Sequence, residues 1–225
     1  MSEHPILMSQ WSMQRYFKGK SQTRRPVKFP DGLKMNLAKR PQQWGQWDFA
    51  FVDLADPIGT YATWIPCPYG VPGDRLWFRE THWLHGRYYQ NGTTRTGRPK
   101  WHFEAIGQKV TFEPQPKINR QDIGYHKRSA IFMPRWACRA VPLILDVRVE
   151  RLQDIDCPDC RAEGIDCPPF HDGGERLTAD NELLPQAKYF ELWDTLNAKR
   201  GYPSSDNPLV WAYEFEPYSR SQEKG

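Results

Sequence analysis

At 225 residues, with 39% hydrophobic and 26% charged residues, the chain suits one large or two small globular domains and not a disordered segment. No apolar run approaches the roughly 20 residues needed to cross a bilayer, and the N-terminal MSEHPILMSQ has an acid and no basic stretch, so no secretory signal is expected. The net charge of +4 is unevenly placed: from Arg15 to Arg40, nine Lys or Arg face one acid, Asp31, so that window carries +8 and the remainder −4.

Taken in chain order, Ile6 to Met8 reads as a first strand, and Ser9 can cap a helix carrying Trp11, Met13, Tyr16 and Phe17 at near-helical spacing. Gly19 ends that helix as a C′ glycine would. Thr23 to Val27 is a strand in which Thr23 and Arg25 share a face, and Pro30-Asp31-Gly32 turns the chain. Residues 33–63 give a mixed, loop-rich signal. The turn cluster PCPYGVPG, from Pro66 to Gly73, delivers the strand DRLWFRETHWL, with Leu76 and Phe78 on one face and Trp77 and Arg79 on the other. An insertion at about 82–130 is polar, Gly-rich and aromatic. Within it, Arg87 to Tyr89 pairs with Trp101 to Phe103 across a turn near Asn91-Gly92.

Ile131 to Met133 and Leu143 to Val149 are two further strands, the second turning Leu143, Leu145, Val147 and Val149 inward. Cys160 to Gly164 makes one helical turn capped by Asp159, inside an acidic, Cys-containing loop at about 154–184. Gln186 to Lys199 is a helix with Phe190, Trp193 and Leu196 on one stripe, closed by Gly201. In the last strand Leu209, Trp211, Tyr213 and Phe215 share one face, opposite Ala212, Glu214 and Glu216. Short strands with about three helices and no regular β-α-β alternation predict an α+β fold, with a small barrel-like sheet in a single domain.

The segment GKSQTRR, Gly19 to Arg25, lies where helix gives way to strand. Lys20 offers an ammonium, Thr23 a hydroxyl, and Arg24 and Arg25 planar forks suited to phosphate. The same residues also make an ordinary solvated strand end. With Tyr16, Phe17 and Phe29 interleaved, the basic window has the composition of a surface that pairs with phosphates and stacks on bases.

A helix, GKSQTRR, PYGVPGDRLWFRET, IFMPRWACR, VRVERLQDI, RAEGI, FELWDTLNAKR and a closing NPLVWAYEFEP together resemble the ASCH family, in the long form found in phage and prophage genomes. The resemblance runs from about Pro5 to Pro217 and is weakest at 33–63, 85–128 and 166–184. It implies a PUA-like β-barrel with flanking helices, and a cleft used for RNA, DNA or a modified nucleoside. Small members similar in the Lys-x-x-Thr-x-Arg core hydrolyse the amide of cytidine acylated on its exocyclic amine, using a Lys, a Thr and a later Glu. Carried over, these are Lys20, Thr23 and Glu163, with Arg25 as the following Arg. Ser21 stands where the family usually has Thr, and the chain is about twice the size of those hydrolases.

In such a reaction a Lys desolvated beside Arg24 and Arg25 acts as base, Thr23 attacks or positions water, and Glu163 shuttles the proton. The non-catalytic alternative uses the same residues as a nucleic-acid-binding cleft. A third class is a phage-encoded protein whose basic segment docks a host protein. Arg75, Trp77 and Arg79 form a same-face ladder for stacking and phosphate contact, and Arg135 extends it; Glu80 is the carboxylate that would stand in for Glu163. Trp77 also reads as core, and Trp136 reads as buried.

Five Cys cannot form a closed disulfide framework, and a cytoplasmic location predicts thiols. No cofactor is expected. The exception would be structural zinc on Cys157, Cys160, Cys167 and His171, although six residues between Cys160 and Cys167 do not fit a standard knuckle. His82, His85, His102 and His126 read as surface residues.

Overall fold

The computed structural model describes residues 1–29, 35–36, 48–53, 62–166 and 185–218. In chain order the elements are β1 (Glu3–Leu7), α1 (Gln10–Tyr16), β2 (Gln22–Pro26), β3 (Met35–Asn36), β4 (Asp48–Asp53), β5 (Ala62–Pro66), β6 (Arg75–Arg79), β7 (His82–Thr93) and β8 (Pro99–Thr111). They continue with β9 (Gly124–Arg128), β10 (Ile144–Arg151), α2 (Cys157–Ala162), α3 (Pro185–Asn197) and β11 (Leu209–Phe215), with short 3-10 turns between. The fold is mixed α+β and mostly sheet. Strand orders are β1-β6, β10-β11-β2, β3-β4-β5 and β8-β7-β9, and among the described residues these sheets are open. The expected Pro30-Asp31-Gly32 turn lies outside the described residues.

The chain falls into two compact units. The first takes in 1–4, 14–76 and 142–225, the second 5–13 and 77–141. Most of the second unit is the segment expected as an insertion.

In the first unit β11 is the central strand, antiparallel to β10 and β2, with Tyr213 opposite Thr23 on one side and Val147 on the other. Its alternation is real but incomplete as a guide. Val210 and Ala212 are as buried as Leu209, Trp211, Tyr213 and Phe215, because a central strand covered on both faces has no solvent side. The β10 strand keeps Val147 inward as predicted but not Leu145. A bulge between Ile144 and Asp146 shifts the pleat, so Ile144 and Val147 are buried while Leu145 is 46% exposed.

The helix ends are set by specific residues. The Ser9 hydroxyl accepts from the Ser12 N–H at 3.0 Å and caps α1. At the other end Gly19, at φ +105°, lets Lys20 N–H reach the Arg15 carbonyl and Gly19 N–H the Tyr16 carbonyl, both at 3.0 Å, in a Schellman closure. The cap of α2 is Asp156, which accepts from Asp159 N–H at 2.7 Å, and not Asp159 itself. The buried stripe of α3 is Pro185, Tyr189, Trp193 and Asn197, at i+4 spacing, and the predicted Leu196 is 38% exposed.

In the second unit β7 pairs with β8 and β9. Arg87 to Tyr89 meets His102 to Glu104, one position beyond the predicted pairing, and the turn falls at Thr94–Arg98. Asn91-Gly92 sits instead in a register shift within the hairpin. At Gly86 an added Cβ would meet the Glu104 carbonyl oxygen at 2.1 Å, so only glycine permits this close approach. The predicted strand at Ile131 to Met133 is a 3-10 turn, Ala130–Phe132, closed by Met133 N–H on the Ala130 carbonyl and followed by Pro134. His82 and His126 are buried, where surface positions were expected, and Trp136 is 42% exposed where burial was expected. Among the described residues no helix is long and apolar enough to cross a membrane.

Trp211, 1% exposed on the central strand, is expected to cost about 3–5 kcal/mol on truncation to Ala. Leu145→Ala, on the bulged strand's open side, is expected to stay within about 0.5 kcal/mol of the parent. Chemical denaturation of both variants checks the face assignment.

Candidate functional site

The Schellman closure of α1 delivers Lys20 toward the C-terminal end of α2. There Ser21 N–H donates to the Ala162 carbonyl at 2.9 Å, and Lys20 Nζ donates to the Glu163 carbonyl at 2.6 Å. The same ammonium lies 2.5 Å from Glu163 Oε2, with the two side chains 1% and 5% exposed. Gly164 permits this turn at φ +91°, and a Cβ there would meet Arg15 Cβ at 2.7 Å. Arg15 in turn holds Asp166 through two bonds of 2.7 and 2.8 Å.

Successive β2 side chains point to opposite faces. Gln22 and Arg24 therefore share one face, Thr23 and Arg25 the other. Arg24 is 3% exposed. Its guanidinium donates to Glu150 Oε1 at 2.7 Å, Asp159 Oδ2 at 2.6 Å, Glu163 Oε1 at 3.2 Å and Gln22 Oε1 at 3.2 Å. Arg148 donates to the other oxygen of Glu150 at 2.7 Å and to Asp159 at 2.8 Å. Both Arg24 and Arg148 lie opposite Ala212 in the sheet. A residue this small between them leaves room for both guanidinium groups to reach Asp159.

The electrostatics follow from this arrangement. Burial lowers the Lys20 pKa; Glu163 raises it, Arg25 and Arg24 lower it further, and the net displacement is downward. Burial also works against the Arg24 charge, but Glu163 and the other acids outweigh it and hold the guanidinium firmly charged. Burial pushes the Asp159 carboxyl up, yet Arg24 and Arg148 bring it below its ordinary value. Tyr189, buried beside Glu163, is kept neutral far above neutral pH, and its hydroxyl stands 3.4 Å from Glu163 Oε1.

Lys20 and Glu163, named together by the family resemblance, are in contact, and Glu163 rather than Glu80 is the carboxylate at Lys20. Glu80 lies in the second unit and takes a two-bond fork from Arg139 at 2.8 and 2.9 Å. Thr23 is 4% exposed, on the β2 face away from Arg24. Arg24 was assigned to phosphate contact; buried among three carboxylates, its guanidinium instead holds the site together. Arg25 is partly exposed. Of the ladder, Arg75 belongs to the first unit, where it bridges to Leu143, whereas Trp77, Arg79 and Arg135 belong to the second. Sequence reading missed Arg148, Glu150, Asp159 and Tyr189 as partners. The alternation Arg148-x-Glu150 on one strand face was the available signal.

For zinc, Cys157 and Cys160 lie on α2, with Cys160 fully buried, while Cys167 and His171 lie outside the described residues. Among the described residues, no group of three or more His, Cys, Asp or Glu is arranged to hold a metal ion. No protein-family model, curated protein or solved structure matches the chain.

Arg24→Ala leaves Glu163 and its neighbouring carboxylates short of their shared cation, at an expected cost of about 3–5 kcal/mol. Arg87→Ala, which removes a pair half exposed on both sides, is expected to cost about 0–1 kcal/mol. Paired urea titrations measure the difference.

Proposed function

We propose that the chain is an ASCH-like protein of the PUA type, and that its Lys20–Glu163 pair hydrolyses the amide of a cytidine acylated on the exocyclic amine. One observation carries the reading: the 2.5 Å contact between Lys20 Nζ and Glu163 Oε2, closed across 143 residues of sequence in a water-poor setting. These are two of the three residue types, in the order that the resemblance of GKSQTRR and RAEGI implies.

In this reaction neutral Lys20 takes a proton from water as the water oxygen adds to the acyl carbonyl. The carbon–nitrogen bond then breaks, and the Lys20 ammonium returns the proton to the departing exocyclic nitrogen. The products are cytidine and a free carboxylic acid, so atoms and charge balance. Glu163 Oε2 stabilises the ammonium between the two steps, while Arg24 and Tyr189 occupy Oε1 and fix which oxygen faces the lysine. The role of Thr23 is to position substrate or water from its own face of β2. A buried lysine with a depressed pKa is what general-base work near neutral pH requires.

A second reading, recognition of nucleic acid without turnover, draws on Arg25, which is only partly buried and shares the Thr23 face. It predicts salt-dependent binding and no product.

Incubation with N-acetylcytidine, followed by chromatography, is expected to show cytidine and acetate, with Lys20→Ala inactive yet folded. Turnover by the parent should rise with pH to a midpoint below the ordinary lysine value of 10.5, because Lys20 must be neutral. Glu163→Gln is expected to lose about 10²–10⁴-fold. A parent without turnover, or a fully active Lys20→Ala variant, removes the enzymatic reading.

A further inference from the structure

The basic window at Arg15 to Arg40 belongs to a unit that is acidic as a whole. The second unit has no charged residue in 5–13 and, in 77–141, twelve Lys or Arg against four Asp or Glu. Its net charge of +8 leaves −4 for the first unit, out of +4 for the chain. A net charge of +8 suits the second unit to a polyanion.

Cations there lie against aromatic rings. The Arg79 guanidinium is 5.0 Å from the Trp77 ring, and that of Arg128 is 4.5 Å from Phe103 and 4.8 Å from Phe132. Phe132 nevertheless remains 61% exposed, and Trp136 is 42% exposed. Both carry ring surface to solvent next to charged residues, Phe132 against Arg128 and Trp136 beside Arg135 in the chain.

The same unit holds buried polar atoms without partners. The fully buried His82 donates from Nδ1 to the Glu80 carbonyl at 3.1 Å, which leaves Nε2 as an acceptor, and no donor meets it. The buried Nε–H groups of Arg79 and Arg128 are likewise unpartnered. His82 stands opposite Arg128 in the β7–β9 register, and Arg79 lies three residues before it. Buried polar groups are ordinarily satisfied, and exceptions call for a specific reason. The two cationic side chains suit a ligand carrying anionic oxygens.

We propose that the second unit docks single-stranded nucleic acid, with phosphate oxygens at the Arg79 and Arg128 guanidinium groups and bases stacked on Phe132 and Trp136. Unpaired bases have free faces for those rings, whereas a duplex has already stacked its own. The site is separate from the Lys20–Glu163 pair and does not rest on its chemistry.

The test is fluorescence anisotropy of the full chain with labelled oligouridine, oligothymidine and a duplex of equal length. Binding of a single strand that weakens steeply with salt is expected, with the duplex weaker, and the preferred sugar identifies the source of the strand. Phe132→Ala and Trp136→Ala replace exposed rings and should fold as the parent does, checked by circular dichroism; each is expected to weaken single-strand binding about tenfold. Arg128→Gln should weaken binding and lessen its salt dependence. No binding at low salt, equal or tighter binding of duplex, or ring variants that bind as the parent does would overturn the proposal. Binding is read without turnover, so a failed hydrolysis assay leaves this result standing, and failed strand binding leaves the hydrolysis reading intact.

Discussion

A carboxylate removed from water must be met by positive charge, and Glu163 sets that requirement for the whole first unit. Lys20 meets one oxygen, and Arg24 meets the other. Arg24 cannot be spent on Glu163 alone, because its remaining donors are buried too, and Glu150 and Asp159 take them. Arg148 then balances those two acids. The result is three cations against three carboxylates, linking β2, β10 and the region of α2 across 139 residues between Arg24 and Glu163. Loss of one member strands a buried charge, which makes such networks all-or-none in a way that apolar contacts are not. The small side chain of Ala212 belongs to the same constraint, since it sits between the two arginines in the sheet.

The network also separates two uses of the basic sequence. Lys20 and Arg24 are held inward on carboxylates, so their charges are largely cancelled where they stand. In the second unit, Arg79 and Arg128 lie against rings and retain buried donors without partners. Counting charges along the chain does not distinguish these cases. A lysine paired at 2.5 Å and an arginine stacked on phenylalanine contribute equally to a net charge and very differently to an approaching anion.

Much of the local structure was legible in the sequence, for identifiable reasons. The helix stop at Gly19 and the strand at Leu209–Phe215 follow from backbone permissiveness and from a long apolar run. The meeting of Lys20 with Glu163 was available only through the family likeness, because nothing in local spacing relates positions 143 residues apart. What stayed hidden depended on tertiary pairing. The bulge after Ile144 turns Leu145 outward and Ile144 inward, while Val147 stays inward, without any Gly or Pro to mark it. Asp159 reads as the cap by sequence, but Arg24 and Arg148 hold its carboxylate and Asp156 caps the helix instead. Arg24 and Arg25 are likewise adjacent and chemically identical, and the sheet alone decides which is buried. His82 reads as a surface histidine until its strand is placed between β8 and β9.

The central claim is that Lys20 is buried, held by Glu163, and gives up its proton more readily than an ordinary lysine. Direct NMR titration of the Lys20 ε-methylene and ammonium signals tests it without reference to any substrate. A midpoint below 10.5, falling further when Glu163 is replaced by Gln, is the predicted result, since burial lowers the value and Glu163 opposes it. A lysine that titrates at its ordinary value, exchanges its ammonium protons freely with water and is indifferent to Glu163→Gln would contradict the account.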